Sequence, residues 1–169
     1  MIKIPEKEGR LSAAKAAHIE AVIAFVKRKT EGYRRDLFAN ISRVMLVSGT
    51  FEDMSARDDW SWLSDFILAD VKTLKQMIGR PELLQFDAFK RMYSDYFSAG
   101  SDKYVDAPTK YNAYMFIENL GVTICPYCDE EYLDVVENGN GGKLRTLEID
   151  HFFPKGKYPA LAMCFYNLV

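Results

Sequence analysis

The spacing of apolar residues changes near residue 121, and this change constrains the possible folds more than any other feature of the sequence. Before it, apolar residues recur at helical spacing, and most of these segments stop at a glycine or a proline. The predicted helices cover residues 13–29, 33–47, 58–78, 82–97 and 109–120. The sequence therefore predicts a helical domain over residues 1–120 and a mainly α protein.

The residues after Gly121 have the shorter period of β-strands. The stretches "EYLDVVE" and "KLRTLEIDHFF" flank the turn sequence "NGNGG", which is typical of a β-hairpin. We therefore expect a second, smaller unit over residues 121–169 that contains a hairpin.

The overall charge bears on possible partners. The chain of 169 residues has a formal net charge of −2, which disfavours binding of nucleic acid through the field of the whole protein. Four basic residues near the predicted hairpin could still form a local phosphate-binding patch: Lys143, Arg145, Lys155 and Lys157. The sequence shows no secretory signal, no apolar run of membrane-spanning length and an odd number of cysteines, so we expect a cytoplasmic protein without membrane contact.

The motif Cys125-Pro-Tyr-Cys128 allows three interpretations. It has the spacing of a thiol oxidoreductase centre, of one half of a zinc knuckle, or of two reduced thiols near a turn. A redox centre of this kind follows an early strand and begins a helix, whereas here the motif follows five predicted helices and precedes β-prone sequence. The context disfavours redox chemistry and favours Cys125 and Cys128 as ligands of a structural Zn²⁺.

A second group of polar residues follows the predicted hairpin. Asp150 and His151 are adjacent at the end of the second predicted strand, and Asn167 comes sixteen residues after His151. With "CPYC" upstream, this pattern resembles the HNH (ββα-metal) endonucleases. The stretches "CPYCDEEYL", "IDHFFPKGKYP" and "FYNLV" are similar to the HNH nucleases encoded beside ATPases in bacterial anti-phage systems of the Septu type.

The resemblance implies a role for each of these residues. His151 would be the general base that activates water, Asp150 would bind a catalytic Mg²⁺ or Mn²⁺, and Asn167 would hold the loop that carries the base. The implied function is phosphodiester hydrolysis in nucleic acid, with DNA favoured over RNA. The helical domain would then dock on an ATPase partner. Two other residues suggest structural roles: Cys164 as a small core residue and His18 as a buried helix residue.

The resemblance also implies residues beyond Asn167. A third catalytic His or Asn and a second Cys pair are expected on the following helix, and the given sequence ends at Val169. On this basis we expect an incomplete ββα-metal module and little or no nuclease activity from residues 1–169 alone. The alternative functions are a non-catalytic helical adaptor with a zinc-stabilised knob and, against the context above, a thiol oxidoreductase.

Overall fold

A computed structural model of the chain describes residues 9–98, 111–123, 135–137, 143–145 and 149–168. The described part is mainly helical, which confirms the predicted class. It contains seven α-helices: α1 (Arg10–Lys27), α2 (Glu31–Met45), α3 (Phe51–Ala56), α4 (Ser61–Ile67), α5 (Val71–Met77), α6 (Ala88–Met92) and α7 (Ala113–Leu120). None of the helices within these ranges has the length and apolar character needed to cross a membrane.

The first two helices agree closely with the sequence pattern. Helix α1 starts after Gly9 rather than after Ser12, and its apolar face is buried. Helix α2 begins at a side-chain cap, because the hydroxyl of Thr30 accepts a hydrogen bond from the backbone nitrogen of Tyr33 at 3.3 Å. Such a cap satisfies a backbone donor that the first turn of a helix leaves without a partner.

The third predicted helix is interrupted. Helix α4 ends at Ile67, and Asp70 then caps α5 by accepting a hydrogen bond from the backbone nitrogen of Thr73 at 2.7 Å. The apolar spacing continues through this break, so the prediction of one helix over residues 58–78 was wrong in detail. The short helix α3 before it was not predicted; Thr50 caps it in the same way.

The fourth predicted helix is divided into three pieces. Pro81–Leu84 forms a 3₁₀ turn, α6 follows after a non-helical break, and Tyr93–Phe97 continues α6 as a π-helix. The backbone nitrogen of Ser98 binds the carbonyl of Tyr93 at 2.7 Å, which is the i to i+5 pattern of a π-helix.

Two short strands are described. Strands β1 (Val135–Glu137) and β2 (Lys143–Arg145) pair antiparallel, with Val136 opposite Leu144. The predicted turn at residues 138–142 lies outside the described residues.

The C-terminal segment, residues 149–168, packs among the helices. Its stretch "YPALAMCF", Tyr158 to Phe165, is buried throughout, and residues 160–164 have no exposed surface. A 3₁₀ turn at Pro159–Leu161 contacts α6, and another at Phe165–Asn167 contacts α5. Residues from both expected units therefore contribute to one hydrophobic core, while the division near residue 121 stays a prediction.

Candidate functional site

His151, near the start of the C-terminal segment, lies next to Leu168 at the end of that segment. This residue forms an isolated antiparallel bridge with Leu168, and the backbone nitrogen of Phe152 binds the carbonyl of Asn167 at 2.9 Å. Residues 151–168 therefore form a closed loop whose two ends are hydrogen-bonded to each other.

The side chain of Asn167 is hydrogen-bonded to the backbone of this loop. Its Oδ1 accepts a hydrogen bond from the backbone nitrogen of Phe153 at 2.7 Å, and its Nδ2 donates to the carbonyls of Phe153 and Leu161 at 3.2 and 2.9 Å. The side chain is completely buried. Asn167 thus binds the backbone two residues after His151, as required of a residue that holds the loop of a base; a catalytic role for Asn167 stays a prediction.

The imidazole of His151 has one occupied nitrogen. Its Nε2 lies 3.0 Å from the carbonyl oxygen of Ala162. Because a carbonyl can only accept, Nε2 carries the proton and Nδ1 holds a lone pair. Within the part of the chain that is described, Nδ1 has no hydrogen-bond partner. The loop therefore selects the tautomer in which Nδ1 could accept a proton.

The surroundings of His151 keep the ring neutral at pH 7. Burial lowers its pKa below the ordinary value, partly opposed by the hydrogen bond to Ala162. Lys155 lowers the pKa and Asp150 raises it, both by smaller amounts. The residue is only 6% exposed, so water reaches Nδ1 only if the surrounding side chains move.

Tyr93 is an aromatic neighbour of His151 and was not identified from the sequence. Its ring centroid lies 4.4 Å from that of His151 in an edge-to-face arrangement, and its hydroxyl donates to the carbonyl of Ile149. Tyr93 precedes the site by more than fifty residues within a predicted helix, and apolar spacing indicated only that it faces a core. The sequence held no signal for this contact.

Asp150 lies on the surface beside His151. Its side chain is exposed, and Oδ1 accepts a hydrogen bond from the backbone nitrogen of His151 at 2.7 Å. An exposed carboxylate is a suitable ligand for Mg²⁺ or Mn²⁺. The described ranges bring no group of three or more His, Cys, Asp or Glu side chains together, and the role of Asp150 as a catalytic-metal ligand stays a prediction.

Of the four predicted basic residues, the structure describes the side chains of Lys155 and Lys157. The ammonium of Lys155 lies 4.3 Å from the ring centroid of Tyr93, and that of Lys157 lies 5.4 Å from the ring centroid of Tyr158. Lys155 is therefore close to His151, and Lys157 is exposed on the same loop. The backbones of Lys143 and Arg145 lie in β2, and nothing is described of their side chains.

The cysteines fall into two groups. Cys125 and Cys128 lie outside the described residues, so their zinc site stays a prediction. Cys164 is buried with no exposed surface, and its thiol donates to the carbonyl of Phe66 at 3.5 Å. Burial raises the pKa of this thiol, which suits a core residue.

The aromatic residues of the loop differ in exposure. Phe153 and Tyr158 are buried. Phe152 is 45% exposed, and its ring packs edge-to-face against that of Phe153, with the two ring centroids 4.8 Å apart. The backbone nitrogen of Phe152 closes the loop through its hydrogen bond to the carbonyl of Asn167.

Comparison of the chain with protein-family models, with curated proteins and with solved structures finds no match. Inference about function therefore rests on the residues and on their geometry.

Proposed function

We propose that this chain contributes the water-activating histidine of a metal-dependent HNH-type endonuclease that hydrolyses phosphodiester bonds in nucleic acid. The observation that carries the proposal is the hydrogen bond from His151 Nε2 to Ala162, which leaves a basic Nδ1 without a partner among the described residues. A histidine with a purely structural role would be expected to use both nitrogens. His18 in the same core does so.

The proposed chemistry assigns one task to each residue. His151 takes the proton of the attacking water at Nδ1, and Asn167 keeps the loop in place through its three hydrogen bonds. Lys155 lies close enough to His151 to contact the phosphate of a substrate bound there. A divalent ion at Asp150 would, when bound, neutralise charge on the phosphorus. The expected structural zinc at Cys125 and Cys128 would stabilise the strand region.

The burial of His151 adds a requirement to this proposal. Because Nδ1 has almost no exposed surface, substrate or metal binding must open a path for water next to Tyr93 or Lys155. We therefore expect the loop at residues 151–158 to change conformation when the substrate binds.

The test is a cleavage assay with plasmid DNA, single-stranded DNA and RNA in Mg²⁺ or Mn²⁺. The protein should carry any residues that its gene encodes after Val169 and should be assayed with and without a co-encoded ATPase. His151→Ala should reduce the rate by about 100-fold or more, the usual contribution of a general base. Asp150→Asn should also reduce it, whereas Asp65→Asn, at an exposed position of α4, should not. Absence of cleavage of all three substrates under every condition would discard the proposal.

The second candidate function is a non-catalytic adaptor in which the helices bind a partner. The low exposure of His151 favours it, since a residue that only packs needs no access to water. Partner binding through residues 1–120, together with biological activity that survives His151→Ala, would support the adaptor and exclude the nuclease.

A further inference from the structure

Tyr93 connects three parts of the proposed site. Its hydroxyl binds the carbonyl of Ile149, its ring packs edge-to-face with His151, and the ammonium of Lys155 lies 4.3 Å from its ring centroid. Tyr93 is only 3% exposed. One side chain from the helical region thus contacts the backbone before His151, the imidazole itself and the basic residue after it.

The π-helix explains how the helical region reaches the site. In the wider turn of Tyr93–Phe97, the rings of Tyr93 and Phe97 lie on the same side, with centroids 5.6 Å apart. Tyr93 contacts His151, while the ring centroid of Phe97 lies 6.1 Å from that of His18. Single π-turns inside α-helices are frequent at functional sites, because they redirect side chains that a regular helix would point elsewhere.

We infer that Tyr93 is a positioning residue for His151, a role that rests on the proposed nuclease function. The edge of its ring fixes the plane of the imidazole, and its hydroxyl fixes the carbonyl two residues before the histidine. Both contacts keep Nε2 aligned with Ala162 and therefore keep Nδ1 as the free base. The helical region is then part of the catalytic apparatus and not only a surface for docking a partner.

The inference is tested with two substitutions and one matched control. Tyr93→Leu keeps an apolar side chain but removes the ring edge and the hydroxyl, whereas Tyr93→Phe removes the hydroxyl alone. The control is Tyr96→Leu, in the same π-helix, where the ring packs against Phe25 at 5.5 Å. The chain contains two histidines, so the imidazole resonances are assigned with one histidine variant.

The first readout is independent of activity. NMR measures the exchange rate of the His151 Nε2 proton that binds Ala162, at constant pH and without metal. Tyr93→Leu should accelerate the exchange strongly and Tyr93→Phe by about fivefold, the equivalent of one lost hydrogen bond. Tyr96→Leu should leave the rate unchanged.

The second readout is steady-state cleavage. Tyr93→Leu should lower kcat by about 100-fold with little change in KM, because a misplaced base slows the chemical step without weakening substrate binding. Tyr93→Phe should recover most of the activity. Unchanged Nε2 proton exchange and unchanged kcat in Tyr93→Leu would overturn the inference. If that variant does not fold, unchanged Nε2 proton exchange in Tyr93→Phe would overturn it. Accelerated exchange in Tyr93→Leu, together with a wild-type protein that cleaves nothing, would instead leave the positioning intact and reject the nuclease.

Discussion

His18 donates its Nε2 proton to the carbonyl of Met163 at 2.8 Å, one residue after the carbonyl that binds His151. Its other nitrogen faces the hydroxyl of Tyr111 at 3.1 Å. Two distant histidines therefore hold consecutive peptide groups of the buried C-terminal segment. His18 has both nitrogens occupied and no exposed surface, which indicates a structural role.

The burial of His18 predicts a loss of stability in acid. Burial lowers its pKa from 6.5 to about 4, so the unfolded chain binds a proton more readily than the folded chain between these values. The free energy of unfolding should therefore fall as the pH drops from about 6.5 to about 4, by about 3 kcal/mol from this group. Urea denaturation at a series of pH values measures this change.

The control for this prediction is His18→Gln, which cannot titrate in this range. We expect the variant to be less stable than the wild type at pH 7 but to lose less stability on acidification. Parallel pH profiles of wild type and His18→Gln would contradict the assignment of the acid sensitivity to His18.

The sequence predicted the helical part of the fold well where local signals agreed with the tertiary structure. Helix α1 follows its apolar spacing, whereas the break between α4 and α5 depends on Asp70, whose carboxylate caps a new helix within an uninterrupted apolar pattern. Periodicity records which residues are buried, not whether the chain bends between them. A capping side chain inside a periodic pattern was the missed signal.

The candidate site was predictable only in part for a similar reason. Asp150, His151 and Asn167 are close in sequence and carry the resemblance together, so the sequence analysis grouped them. The contact of Tyr93 with His151 is long-range, and its geometry depends on a π-turn that no local pattern indicates. The burial of the histidine likewise depends on helices that precede the motif.

Asn167→Asp should destabilise the protein in a pH-dependent way. The substitution keeps the shape and the acceptor for Phe153 but turns two donated hydrogen bonds into contacts between a carboxylate and the carbonyls of Phe153 and Leu161. We expect a loss of about 3 kcal/mol at pH 7. Burial raises the pKa of such an aspartate, so its deficit relative to wild type should shrink as the pH falls through that raised pKa.

The matched control is Asn40→Asp in α2, where the amide is half-buried and donates to the carbonyl of Asp36 at 2.9 Å. Its cost should stay below about 1 kcal/mol. Equal losses for the two variants in urea denaturation would show that the loop does not depend on the hydrogen bonds of Asn167.

Leu46→Gly should stabilise the protein, although the substitution removes an apolar side chain. Leu46 ends α2 in the left-handed conformation, with φ 54° and ψ 43°, and is 80% exposed. Most L-residues are strained in this conformation and glycine is not. The relief of backbone strain should outweigh the small loss of packing and raise the free energy of unfolding by up to about 1 kcal/mol. Arg43→Gly, inside the same helix and exposed, should instead destabilise by about 1 kcal/mol. Thermal unfolding of both variants tests the opposite signs.

The reactivity of the three cysteines should separate the zinc and redox interpretations of the "CPYC" motif. Cys164 is completely buried and its pKa is raised, so a thiol reagent at pH 8 should modify it only in denaturant. Cys125 and Cys128 should be protected in the presence of Zn²⁺ and become reactive after a chelator removes it. The variant Cys164→Ala shows which of the modified thiols belongs to Cys164. Equal reactivity of the "CPYC" thiols with and without zinc would refute the knuckle, and a mixed disulfide with glutathione at Cys125 would favour the oxidoreductase.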